Sequence, residues 1–154
     1  QKYLYLLEEA FIIFTLRAFA RNMRNEIHKS QKIYFYDVGI RNALIHNFNP
    51  PGIRSDIGWL WENFIIAERT KYNRSMKYFA NSFFWRTHEG KKIDYIEESG
   101  GMLHAFEIKW NTKKSAKIPK IFQDTYRDHT FQVVNSENWI DICGTMREGE
   151  KNRG

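Results

Sequence analysis

Leu6, Ala10, Ile13, Phe14 and Leu16 recur at three- and four-residue intervals, the spacing of one helix face, and predict a helix over residues 3–19. Glu8 and Glu9 stand early in it and Arg17 late, the charge order that a helix dipole favours. Residues 21–29 are polar and basic and read as a connector. A short aromatic strand follows over 32–36, and Asp37 is placed to cap a helix over 38–46. Pro50-Pro51-Gly52 is the strongest breaker in the chain and sets a domain boundary. The division is an N-terminal appendage over 1–50, a main domain over 51–147 and a charged tail over 148–154, expected to be disordered.

In the main domain Asp56 reads as a second N-cap, with a helix to about residue 72 and a stripe of Ile57, Leu60, Trp61, Phe64 and Ile65. The period then shortens. Strands are predicted over 76–80 and 83–87, with a turn at His88-Glu89-Gly90. Two more, 92–98 and 103–110, are joined by the loop Ser99-Gly100-Gly101-Met102. Pro119 opens a helix to about residue 128, and strands are expected at 131–134 and 139–142. This is an α/β layout in which helices flank one sheet.

Composition adds bounds. At 154 residues, 42% hydrophobic and 27% charged, the chain is globular, and 16% aromatic residues can fill a core. The longest apolar run, Ala10 to Phe14, is far too short to span a bilayer, so no membrane partner is expected. The single cysteine, Cys143, excludes an internal disulfide and suits a reducing cytoplasm, and no signal peptide is visible. The opening at Gln1, inside a predicted helix, points to a piece of a longer protein. The net charge of +6 permits an anionic partner such as DNA. Its one local concentration is Lys109, Lys113, Lys114, Lys117 and Lys120, either a solvated loop or a phosphate-facing surface. The fragment has no phosphate-loop signature, so no ATP site is expected in it, and it lacks H-E-x-x-H, G-x-S-x-G and G-x-G-x-x-G.

The candidate chemistry lies on the 92–110 hairpin. Strand side chains alternate, so Glu107 and Lys109 share a face, and a four-residue loop places Asp94 opposite Glu107 and Lys92 opposite Lys109. Two facing carboxylates repel, and a lysine, a shared proton or a cation must offset them. Oxygen ligands suit Mg2+, with Mn2+ as a substitute; the ion would activate a water, and Lys109 would orient that water or balance developing charge. The plain alternative is a surface hairpin with ordinary charges. Arg86 and Lys92 are candidates to contact phosphate beside Lys113, Lys114 and Lys117, while Trp85 and Trp110 are candidates to stack on bases or to fill the core. Gln123 and Tyr126 are weaker candidates, and His28, His46, His88, His104 and His129 show no ligand spacing.

Asp94-x12-Glu107-x-Lys109, preceded by a helix bearing Glu62 and followed by another helix, resembles the PD-(D/E)xK nuclease superfamily; Ile93 stands where its name has proline. That resemblance implies a restriction-endonuclease-like core with Glu62, Asp94 and Glu107 as metal ligands and Asp94, Glu107 and Lys109 as catalytic residues. Glu68 is the less favoured helix acid. The ordered segments Lys32-Ile33-Tyr34-Phe35-Tyr36-Asp37-Val38-Gly39, Asp56-Ile57-Gly58, Trp61-Glu62-Asn63-Phe64 and Phe84-Trp85-Arg86-Thr87 narrow it further. Together they resemble the C-terminal domain of prokaryotic AAA-type ATPases known as domain of unknown function 4143. This implies an upstream ATPase module as a partner and a winged-helix-like remnant in the first forty-odd residues. Two functions follow: a Mg2+-dependent DNA phosphodiesterase, or a catalytically silent module recognising DNA or a protein.

Overall fold

The computed structural model describes residues 2–21, 26 and 29–144. The elements in chain order are α1 (Lys2–Glu9), β1 (Ile13–Ala18), β2 (Gln31–Phe35), α2 (Val38–Leu44), a 3-10 turn (Pro51–Ile53), α3 (Ile57–Ser75), β3 (Asn81–Arg86), β4 (Lys92–Ser99), β5 (Met102–Ile108), α4 (Lys120–Thr125), β6 (His129–Val134) and α5 (Trp139–Cys143). The strands form one six-stranded mixed sheet in the order β2-β1-β3-β4-β5-β6. β1·β3 and β5·β6 are parallel and the other pairs antiparallel. Leu16, Tyr34, Phe84, Tyr95, Phe106, Ile108 and Val134 pack with Ile65 and Ile66 of α3 and Ile142 of α5. Trp85, Ile93, Ile96, Leu103 and Ala105 form a second cluster with Phe122 and Tyr126 around α4. The sheet therefore has helices on both faces, the α/β class expected. No described helix is long and apolar enough to cross a membrane.

Three local expectations are corrected. The helix predicted over 3–19 stops at Glu9, and 13–18 is a strand. The Ile12 N–H reaches back to the Leu7 carbonyl and the Phe11 N–H to that of Glu8, while Phe11 takes φ of 54°. This is a Schellman closure with phenylalanine where glycine is usual. Residues 76–80 are not a strand: Met76 and Lys77 turn, with Lys77 at φ of 52°, and 78–80 are irregular. Residues 139–143 are a short helix, entered through the Asn135 N–H bond to Asn138 Oδ1. The tail over 148–154 and His28 lie outside the described residues.

β1 and β2, from the N-terminal side of Pro50-Pro51-Gly52, belong to the same sheet as β3–β6. Asn63, fully buried on α3, ties that edge down: it accepts from the Phe35 N–H at 2.9 Å and donates to the Phe35 carbonyl at 2.7 Å. Its amide stands in for a further strand at the β2 edge.

Asp56 sits at the N-cap of α3 but makes no side-chain cap bond. Its carboxylate instead pairs with Arg54, at 2.9 and 3.0 Å, and with Arg41. Arg54 also reaches the Asn47 carbonyl and Asn42 Oδ1, each at 2.9 Å. The bonds from Arg54 and Arg41 hold the Asp56 carboxyl well below its ordinary 3.8, against a smaller opposing effect of burial. A depressed carboxyl binds its proton more readily in the unfolded chain, so the pairing stabilises fully above that ordinary value and is lost as pH falls below it. The wild type is expected to lose denaturant resistance between pH 5 and pH 2 more steeply than Asp56→Asn. Urea midpoints across that range check this; parallel slopes would remove the pairing as a source of acid sensitivity.

Candidate functional site

The hairpin closes on Gly100-Gly101, both at positive φ (59° and 81°), and pairing runs from Ser99↔Met102 to Tyr95↔Phe106. The loop is two residues shorter than expected, with the same register. One further step would set Asp94 opposite Glu107, but the paired stretch ends before it. The register of β4 against β3 also shifts here, from Phe83↔Ile96 to Trp85↔Ile93, so that Asp94 and Tyr95 together face Phe84. This bulge frees Asp94 from the ladder and re-aims its side chain. The Asp94 Oδ2 accepts the Ile108 N–H at 3.1 Å, and Oδ1 pairs with Lys92 at 2.8 Å.

An open cleft of about 530 Å3 lies between the start of α3 and the ends of β4 and β5. Glu62, Lys92, Asp94, Lys109, Trp110 and Lys114 line it. Glu107, at 8% exposure, is not on its wall but is ion-paired to Lys109 at 2.5 Å. Burial and the nearby charge of Asp94 raise the Glu107 pKa, against the opposing pull of Lys109 and Lys92. Burial works against the Lys92 charge, but Asp94, Glu62 and Glu107 outweigh it and its pKa rises. Glu62, Asp94 and Glu107 are thus in mutual electrostatic reach of Lys92.

Each of the three carboxylates carries its own lysine. Glu62 pairs with Lys32 at 2.9 Å, Asp94 with Lys92 and Glu107 with Lys109. Among the described residues, no three His, Cys, Asp or Glu side chains gather closely enough to hold a metal by themselves. The donors are all hard carboxylate oxygens. They fit a Mg2+ ion held by one or two carboxylates with water and phosphate completing the shell, and they do not fit a three-carboxylate cage.

The remaining candidates divide. Arg86 stands beside Lys92 in the ladder and is exposed. Lys114 lines the cleft, while Lys113 and Lys117 are exposed on the following loop and outside its lining. Trp110 lines the cleft and meets Trp61 edge-on at 5.4 Å. Trp85 is fully buried and donates to Glu26 at 2.6 Å, so it is core and no stacking platform. Tyr126 is also buried against Glu26, Glu68 pairs with Lys71, and His104 bonds Thr130. A larger cavity of about 730 Å3, bordered by Phe14, Asn73, Arg74 and Tyr78, contains none of the three carboxylates.

The residues that sequence reasoning missed are Lys32 and Tyr34. Both come from β2, and both donate to the same Glu62 oxygen, Oε1, at 2.9 and 2.6 Å. The signal was present as alternation: Lys32 and Tyr34 share a strand face, and the intervening Ile33 is exposed. β2 lies on the N-terminal side of Pro50-Pro51-Gly52, far in sequence from the hairpin that carries Asp94, Glu107 and Lys109.

Among curated proteins, uncharacterized proteins of Mycobacterium bovis and Mycobacterium tuberculosis are each 24% identical over 111 residues, which is 71% of this chain. The chain spans about a quarter (24%) of the length of those relatives. No solved structure matches. A family model described as Domain of unknown function (DUF8612) matches residues 1–51. A second, described as Domain of unknown function (DUF4143), matches residues 57–147, more than half of the chain, and to this family the protein belongs.

Proposed function

We propose that this domain is the nuclease-like C-terminal module of a cytoplasmic prokaryotic AAA-type ATPase, with a PD-(D/E)xK core that hydrolyses DNA phosphodiesters using Mg2+. The carrying observation is the convergence of Glu62, Lys92, Asp94 and Lys109 on one cleft, with Glu107 ion-paired at its edge. In this reading no more than two of the three carboxylates would hold the ion directly, Asp94 with one of Glu62 and Glu107, and the third would reach it through water. When bound there, Mg2+ supplies Lewis acidity for the phosphodiester and lowers the pKa of an attacking water. Lys109, ion-paired to Glu107 and on the cleft wall, would balance developing charge and orient the water. Lys92, Lys114 and Arg86 offer positive charge along the path a DNA backbone takes to the cleft.

A second reading is supported by the lysine carried on each carboxylate: a module whose site carboxylates are already neutralised and that recognises DNA or a protein without cutting. Calorimetric titration with Mg2+ and Mn2+ separates the two. Binding is expected for the wild type and lost in Glu107→Ala. Affinity is expected to fall as pH is lowered, because the raised Glu107 pKa makes the ion compete with a proton there. No binding heat with either ion at millimolar concentration would favour the recognition module.

A further inference from the structure

We infer that Lys32 and Tyr34 are positioning residues for the cation site, supplied by the N-terminal segment, and that they fix Glu62 as a ligand through one oxygen only. The inference rests on the phosphodiesterase reading and goes beyond it by making β2 part of the site.

The two donors converge on Oε1 of Glu62, the hydroxyl at 2.6 Å and the ammonium at 2.9 Å. Among the described residues nothing donates to Oε2, so that oxygen is left to accept from water or a cation in the cleft that Glu62 lines. Neither donor is free to drift. Tyr34 is 1% exposed in the core beneath α3, stacked on Phe14 with centroids 5.6 Å apart. Lys32 lies over the Phe84 ring at 5.2 Å. Asn63, the residue after Glu62, locks α3 to Phe35, the residue after Tyr34, and so holds carboxylate and donors in register.

Partners that orient a metal ligand are commonly worth ten- to a hundredfold in affinity. An ammonium so close to a ligand carboxylate also competes with the cation, so loss of charge and loss of orientation oppose each other at Lys32. Tyr34 has no charge and acts through orientation alone. Tyr34→Phe is therefore the primary variant, with Lys32→Met and Lys32→Arg beside it.

The experiment is Mn2+ titration of wild type, Tyr34→Phe, Lys32→Met, Lys32→Arg and Asp94→Asn, read by the loss of free-ion electron spin resonance. Each variant's metal-free thermal midpoint is measured in parallel. Tyr34→Phe is expected to weaken Mn2+ about tenfold. The metal-stabilised shift in midpoint should shrink with it, while the metal-free midpoint falls only slightly. Lys32→Arg, which keeps both a donor to Oε1 and the charge, is expected to bind Mn2+ as the wild type does. Wild-type affinity in Tyr34→Phe, with binding lost in Asp94→Asn, would overturn the positioning role and leave the phosphodiesterase reading standing. Absence of Mn2+ binding in the wild type would overturn both.

Discussion

Glu97→Ala is expected to destabilise the fold by about 3–5 kcal/mol, the range for removing one partner of a buried ion pair. Glu97 has no exposed surface and lies mid-strand in β4. Arg69 of α3 grips it with two parallel bonds, Nε to Oε1 at 2.8 Å and a terminal nitrogen to Oε2 at 2.7 Å. Asn73 donates to Oε1 at 2.6 Å and the Tyr95 hydroxyl at 3.0 Å. The guanidinium is also bonded to the Ile142 carbonyl, so α3, β4 and α5 meet at this one charge pair. Loss of the carboxylate strands a largely buried guanidinium and takes the acceptor from the Asn73 amide, while the Tyr95 hydroxyl keeps Ser82; a buried donor left unsatisfied costs about 1–3 kcal/mol. A typical domain has only about 5–15 kcal/mol in total, so the variant should unfold at far lower denaturant. Urea unfolding measures it. A loss under 1 kcal/mol would mean that the pair is hydrated in solution. Arg69→Met in the Glu97→Gln background should cost less than the two single changes summed, since the second change removes a charge already stranded.

That network shows what the residue pattern does and does not carry. Short runs rich in aromatic and β-branched residues, bounded by turn residues, placed β2, β3, β4 and β5 well, although β4 and β5 are buried on both faces and show little alternation. The register came through as well, because the loop expected over residues 99–102 shortens by one residue on each side to Gly100-Gly101, and a symmetric change leaves every β4·β5 partner the same. Short apolar runs carried less. The stretch 13–16 has helix-compatible spacing, and the helix before it ends on Phe11 in a conformation for which no sequence signal exists when glycine is absent. Trp139 to Cys143 is too short for its period to separate strand from helix.

The site was legible in its types and only partly in its geometry. Asp94, Glu107 and Lys109 follow from strand alternation, and Glu62 from its place on the helix. The bulge at Asp94 does not. It arises from a mismatch between β4 and β3, which are not read together in a one-dimensional pattern, and it turns Asp94 toward the Ile108 N–H. Buried polar partners are illegible for a related reason. Asn63, Arg69 and Asn73 look like ordinary helix residues until the sheet that they face is in place.

Replacing Asp94 is expected to abolish metal-dependent cleavage of DNA, with Asn the cleaner choice than Ala. Asp94 is 1% exposed, and its Oδ2 satisfies the buried Ile108 N–H. Alanine would orphan that donor and confound a chemical effect with a folding one. Asparagine keeps an acceptor for the N–H and removes the charge that Lys92 and a cation share; its amide donor then faces Lys92, whose half-exposed ammonium can turn to solvent. If the proposed chemistry holds, Asp94→Asn should lower the Mg2+- or Mn2+-supported rate by at least about a hundredfold, the scale set by losing a preorganised electrostatic group. Its thermal midpoint should stay near that of the wild type. Lys109→Ala should lower the rate while changing metal affinity much less, because its ammonium offers charge to the transition state and donates no ligand oxygen. DNA affinity should fall with added salt, and Lys113→Ala, Lys114→Ala and Lys117→Ala should each flatten that slope if their ammonium groups displace counterions. Cleavage that survives Asp94→Asn would place the chemistry elsewhere in the chain. Salt-dependent DNA binding with no cleavage under either ion would assign the cleft to recognition. Neither binding nor cleavage would leave a protein as its partner, with Lys92, Lys109 and Lys114 of the cleft as its contacts.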